Sequence, residues 1–230
     1  MAHIHDMRDC VFKRNARLAG RLSRMLTLSK MLFTFAILAV VLSYTWFFEP
    51  RLPSSSVAAP VIIVLALGVV NAARTREWGF RRDAFAPALR ATALFTAPMT
   101  GIIVAAGATA GTLHARRDFF GNLLALLVWG GGQQWILQTV MLREAQRATS
   151  RRAGIFVAAA LFAALHLPNP FLTTMTLVGA LGWCAIYDRH PNVVPLALSH
   201  AIATLAILCA FDDAMTGRLR VGLAYLILNR

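Results

Sequence analysis

Four stretches of this chain, 31–48, 57–73, 91–113 and 119–142, contain no Asp, Glu, Lys or Arg and are built mainly from aliphatic and aromatic residues. A helix needs about 20 consecutive apolar residues to cross a bilayer core. The pattern continues with 153–167, stopped by Pro168, then 171–187 and 193–211. A last apolar stretch, 221–228, is too short to span unless it extends back through Arg218 and Arg220, and reads as an interfacial tail or a partial eighth helix. The expected fold is an all-α, polytopic transmembrane helix bundle of seven or eight spans. Composition agrees: 58% of residues are hydrophobic and 14% charged, against about 45–50% and about 25% in a soluble domain.

The net charge of +13 comes from 23 Lys and Arg against 10 Asp and Glu. In a soluble protein that excess would suggest nucleic acid. Here the charges sit between the apolar runs, with little aromatic interleaving, so they are topology determinants facing anionic headgroups. The partner is the lipid bilayer, and no nucleic acid is expected. Most of the cations fall on one side of an alternating topology: residues 1–30 with Arg8, Lys13, Arg14, Arg17, Arg21, Arg24 and Lys30, the loop with Arg74, Arg76, Arg81, Arg82 and Arg90, and the loop with Arg143, Arg147, Arg151 and Arg152. The positive-inside rule then puts the N-terminus in the cytoplasm and the protein in the inner or plasma membrane as a multi-pass protein.

Ser56-Val57-Ala58 resembles a small-x-small cleavage site, but the preceding basic segment is long and a signal h-region should be about 7–15 apolar residues, so an uncleaved anchor is expected. Residues 6–30 suggest a basic interfacial helix with Leu18, Leu22, Met25 and Leu26 on one face. Gly107 and Gly111 form a GxxxG that suits helix packing within the chain or dimerisation. Cys10, Cys184 and Cys209 are scattered, without the CxxC spacing of a disulfide or thiolate metal framework.

An ionisable or strongly polar side chain inside a span is a functional hypothesis by default. These are Gln133, Gln134 and Gln138 in the fourth run, His166 in the fifth, and His200 with Thr204 in the seventh; all ten carboxylates lie outside the runs. Phe162 and His166 are i and i+4 on one helical face, as are Gln134 and Gln138, and His200 and Thr204. Gly130-Gly131-Gly132, just before the glutamines, lets another backbone or a ligand come close.

The segments Gln133-Gln134-Trp135-Ile136-Leu137-Gln138, Leu142-Arg143-Glu144, Phe162 to Pro170 (FAALHLPNP) and Val194 to His200 (VPLALSH) resemble the CPBP family. Its members are the type II CAAX prenyl endopeptidases and Abi-type proteins related to bacteriocin immunity. The resemblance covers about residues 119–211 and implies a four-helix catalytic core with motifs of the form EExxxR, FxxxH and HxxxN, in which paired glutamates and histidines surround an attacking water. It divides the chain into a basic segment 1–30, N-terminal helices 31–118, the core 119–211 and a tail 212–230. Carried over, it makes Gln133, Gln134, His166 and His200 the catalytic positions and Gln138, Phe162 and Thr204 binding positions.

Phe162, His166 and His200 match, but both glutamates are Gln133 and Gln134, the arginine is Gln138 and the final asparagine is Thr204. A carboxylate takes a proton from an attacking water, whereas a neutral amide does not. Glu144, the one carboxylate on the same helix, stands too far from Gln134 and is expected to pair with Arg143 or Arg147. The histidines remain as bases. Two nitrogen ligands fall short of the three protein ligands usual at a catalytic zinc, so no metal or cofactor is expected. The functional expectation is an intramembrane endopeptidase-like protein acting on a peptide or membrane-protein substrate. Its alternatives are a non-catalytic relative that binds a peptide, lipid or membrane partner, and a small transporter. The last lacks the intramembrane charges and repeated halves common in such proteins.

Overall fold

The computed structural model describes residues 29–228. The expected interfacial face of Leu18, Leu22, Met25 and Leu26 lies outside the described residues. Apart from an isolated bridge between Phe80 and Asn192, the regular structure is helical. Helix α1 runs Leu32–Ser43 and is prolonged by a π turn, Tyr44–Phe48, and a 3-10 turn, Glu49–Arg51. A short 3-10 turn, Ser54–Val57, leads into α2, Ala58–Thr75. Helix α3 is Phe85–Thr109, and its end is set by Gly111, whose φ of 70° is open to glycine without strain. Helix α4, Phe119–Ile136, continues through a π segment, Leu137–Leu142, into α5, Arg143–Ala148. Then follow α6, Arg151–Ala164; α7, Pro170–Arg189; α8, Val193–Ala210; and the short α9, Asp213–Thr216, and α10, Gly222–Leu228.

The starts of α4, α6, α7 and α8 are written in the sequence as side-chain caps, which satisfy the orphan N–H groups of a first turn. Asp118 accepts from Gly121 N, Ser150 from Ala153 N, Asn169 from Leu172 N and Asn192 from Val194 N. Helix α7 also carries Pro170 at its first position, where the missing N–H costs nothing.

Among the described residues, five helices are long and apolar enough to cross a membrane: Leu32–Arg51, Ser54–Thr75, Phe85–Thr109, Pro170–Arg189 and Val193–Ala210. The chain is a multi-pass membrane protein. The other two runs behind the expected seven or eight spans fall short of that measure. Helix α4 is diluted by Gly130, Gly131, Gly132, Gln133 and Gln134, and α6 has 14 residues. Leu94 and Phe120 are more than 75% exposed, so the bundle turns large apolar side chains outward, as a lipid-facing surface requires.

The connections gather on two opposite faces. On one, Arg143 reaches Glu77 and Asp188, Arg151 binds Asp188 at 2.7 Å, Tyr187 donates to Glu77 and Val193 N donates to Gly79 O. Arg81 also pairs with Asp83 there. On the other, His114 N donates to Cys209 O, Arg116 Nε donates to Leu208 O, and Asn169 Nδ2 donates to the carbonyls of Thr216 and Arg220. Helix α8 is the hub, with 61% of its apolar window buried against 17–33% for the other four long helices, and it packs on both α3 and α4. Gly107 lies against the Ala210 backbone, whereas Gly111 stands past the end of α3 with nothing within 4 Å, so only the first glycine of the GxxxG serves packing inside this chain.

Glu144 corrects the sequence-based expectation. It pairs with neither Arg143 nor Arg147. It is 3% exposed and accepts from Thr34 N at 2.8 Å, Thr34 Oγ1 at 2.8 Å and Phe33 N at 3.4 Å. A carboxylate at the N-terminus of α1 takes up the free N–H groups and opposes the positive end of the helix dipole. Sequence separation hid this contact, since the partners stand 110 positions apart.

Candidate functional site

The polar residues of the membrane core are set around a cavity of about 1280 Å³ bounded by α1, α2, α3, α4, α6, α7 and α8. Gln133, Phe162, His166, His200 and Thr204 all line it. Gln134 and Gln138 do not; both are fully buried behind the wall. Apart from Glu49, Arg220 and the hydroxyl-bearing Tyr44, Thr45 and Thr176, the rest of the lining is mainly apolar, with side chains such as Leu165, Met175 and Phe95.

Helix α4 presents its two neighbouring glutamines in different directions, about 100° apart at 3.6 residues per turn. Gln133 enters the cavity, and Gln134 turns into the contact with α8. The close packing that brings α4 and α8 together uses Gly130, where an added Cβ would stand 3.2 Å from His200 Cγ. The π segment begins at Leu137, directly beyond the glutamines, and all six of its residues are buried. Such segments recur at functional sites.

Gln138 Nε2 donates to Gln134 Oε1 at 3.0 Å, and Gln134 Nε2 lies 3.1 Å from His200 Nδ1. The order matters. With its oxygen occupied by Gln138, the Gln134 amide offers N–H to the imidazole, so His200 Nδ1 is the acceptor. The ring proton then resides on Nε2. A carboxylate at position 134 would dictate the opposite tautomer. Gln138 Oε1 itself is buried without a hydrogen-bond partner.

The other face of the His200 ring stacks on Trp183, with centroids 4.8 Å apart and planes at 6°. Trp183 Nε1 donates to Ser199 Oγ at 2.9 Å, and Ser199 Oγ lies 2.6 Å from Thr96 Oγ1. The imidazole is thus fixed by a bond on one side and an aromatic plane on the other. Trp183, Ser199 and Thr96 are the positioning residues that sequence reasoning missed. Ser199 was next to a singled-out residue, but nothing in the chain pattern ties Trp183 or Thr96 to His200.

His166 stands beyond the last residue of α6, in the turn that leads to Pro168, rather than within a span. Its Nδ1 is 3.0 Å from Phe162 O, and a carbonyl only accepts, so Nδ1 carries the proton and Nε2 holds the lone pair. Phe162 packs edge-on against the ring at 5.4 Å. The i, i+4 spacing read from sequence is therefore realised as both a ring contact and a ring-to-backbone bond. Among the described residues, no group of three or more His, Cys, Asp or Glu is placed to hold a metal ion.

Residues 115–206 match the family model for Rce1-like type II CAAX prenyl endopeptidases. This stretch is similar to the Rce1-like endopeptidases. The matched segment starts just before Asp118 caps α4 and ends within α8, so it contains every singled-out side chain from Gln133 to Thr204. Searches of curated proteins and of solved structures find no match to the chain. Outside the matched segment, α1, α2 and α3 also contribute to the cavity wall, through residues such as Ile37, Val64 and Phe95.

Proposed function

We propose that this protein is an intramembrane, Rce1-like binding protein that admits a peptide or lipid-modified chain into the cavity and has lost carboxylate-driven hydrolysis. The single observation behind this reading is the Gln138–Gln134–His200 relay. Where a family glutamate would collect a proton from water, this chain has an amide whose oxygen is already engaged and whose N–H points at imidazole. The one carboxylate nearby on the same helical rod, Glu144, is committed to the start of α1. The ligand would rest against His166, His200 and Gln133, with Thr204 and Phe162 as neighbouring wall and 119–211 as the functional core.

A second reading, histidine-based endopeptidase activity, draws support from the unequal tautomers. His166 Nε2 offers a lone pair and His200 Nε2 offers an N–H. In that mechanism His166 takes a proton from water, the hydroxide adds to the scissile carbonyl carbon, and the His200 N–H supports the oxyanion. Collapse then expels the amine, which receives the proton from His166.

The membrane arrangement belongs to the same proposal: α4 and α6 complete seven spans, α10 is an interfacial tail, and the loops at 74–90 and 143–152 face the cytoplasm. The deciding experiment offers the purified full chain membrane-anchored peptides with a lipidated cysteine near the C-terminus. The binding reading expects retention of peptide, loss of retention in His200→Ala, and no product. Cleavage by the unmodified chain that stops in His166→Ala would replace it with the second reading.

A further inference from the structure

A second polar locus borders the cavity away from the histidines, and the relay described above does not use it. Glu49 ends the long first helix, in its terminal 3-10 turn beside Pro50 and Arg51. Arg220 approaches from the C-terminal segment. Both line the main cavity and also a smaller adjoining one of about 410 Å³, and Tyr44 and Val57 line both as well. The smaller space is otherwise edged by Pro50, Leu52 and Ser54, at the end of the Leu32–Arg51 span, where a bilayer gives way to headgroups. The larger is apolar and runs into the bundle.

The two side chains border the same space but form no ion pair within 4.0 Å. Glu49 Oε2 and Arg220 Nη1 are each buried without a hydrogen-bond partner. Leaving a charged group's buried atom unpaired costs more than a neutral hydrogen bond does, so this corner is incomplete by itself. Nor is Arg220 placed by accident. Asn169 Nδ2 holds its carbonyl at 3.1 Å, its own N donates to Gly217 O, and Gly222 N donates to Leu167 O at 2.8 Å. Gly222, at φ 56°, lies against the Thr45 backbone, where a Cβ has no room. The turn that follows His166 thus pins the tail so that Arg220 borders the same space as Glu49.

We propose that this corner is the headgroup site of a phospholipid bearing a primary ammonium, with the phosphate on Arg220, the ammonium on Glu49, and an acyl chain in the apolar cavity. The chemistry selects the class. Arg220 Nη1 needs an acceptor, and a phosphate oxygen suits a guanidinium. Glu49 Oε2 needs a hydrogen donor, which an ethanolamine ammonium supplies and a quaternary choline does not. A glycerol headgroup brings no cation. Opposite charges at a membrane-surface gap, backed by a long apolar space, match a zwitterion with a tail.

The test uses the full chain in mild detergent, with POPE, POPC and POPG added at equal concentration and bound lipid counted by native mass spectrometry. POPE should be retained about tenfold over POPC and POPG, a difference of about 1.4 kcal/mol. Glu49→Gln should reduce the POPE-to-POPC preference to near unity, Arg220→Gln should lower retention of POPE about tenfold, and Arg220→Lys, which keeps the charge, should retain most of it. Thermal unfolding of each variant checks the fold, and a collapse of Arg220→Gln leaves the Glu49→Gln and Arg220→Lys comparisons to decide. Equal retention of the three lipids would overturn the proposal. So would a peptide C-terminal carboxylate that displaces POPE and binds equally well to the wild type and Glu49→Gln, since that would make Arg220 a peptide site.

Discussion

Replacing Gln134 by Glu tests the logic of the buried relay directly. The side chain is fully buried and touches two groups, the Gln138 amide at 3.0 Å and His200 Nδ1 at 3.1 Å. A carboxylate accepts at both oxygens, so the Gln138 bond survives, whereas His200 must move its proton from Nε2 to Nδ1. Burying the charge costs several kcal/mol, and two charge-assisted hydrogen bonds return about 1.5–3 kcal/mol each. The expected net loss is about 1–3 kcal/mol, or a fall in Tm of about 2–12 °C for a chain of this length. NMR of isotope-labelled histidine reads the tautomer: the lone pair should appear on Nε2 of His200 in the variant and on Nδ1 in the wild type. A base then faces the cavity, and any hydrolysis should rise by about 10²–10⁴, the usual contribution of general base catalysis, and vanish with His200→Ala. An unchanged His200 tautomer in Gln134→Glu would refute the directional relay. An already protonated Nδ1 in the wild type would refute it as well.

Several other outcomes can be checked separately. Trp183→Ala should cost about 3–5 kcal/mol, because it removes a buried ring with its stack on His200 and frees Ser199, and chemical denaturation in detergent will read it. Glu144→Gln keeps one acceptor and loses the charge opposite the α1 N-terminus, so it should destabilise by about 1–3 kcal/mol, and the effect should shrink when Thr34→Val is already present. Gly130→Ala pushes a methyl towards the His200 ring and should perturb its NMR signals, while Gly132→Ala, with open space around it, should not. A periplasm-active reporter fused near Arg82 should be silent and one near Ser55 active; the reverse would overturn the proposed orientation. The Arg81 hydrogen bond holds the exposed Asp83 carboxyl below its ordinary range. That contribution is complete above the unfolded carboxyl's pKa and is lost only as pH falls through the lower folded value. Because both groups are solvated, Asp83→Asn should leave Tm at neutral pH and moderate salt unchanged within error.

The sequence alone determined the all-α membrane class, because uncharged apolar runs admit few other folds and a bilayer tolerates few polar side chains. It also determined the caps Asp118, Ser150, Asn169 and Asn192, which act within three residues of their partners and so are legible locally. Five of the seven singled-out side chains, Gln133, Phe162, His166, His200 and Thr204, do line one cavity, because polar groups in hydrocarbon have few other places to go. Only the tertiary structure separated Gln133 from Gln134, adjacent in the chain yet directed to cavity and helix contact. It alone placed Trp183 on His200, Glu144 on the start of α1, and Arg220 at the same space as Glu49. Those pairings join residues 17 to 171 positions apart. Their geometry is fixed by how helices pack against one another and by where a connecting turn directs the chain, and neither quantity is a property of any single stretch of sequence.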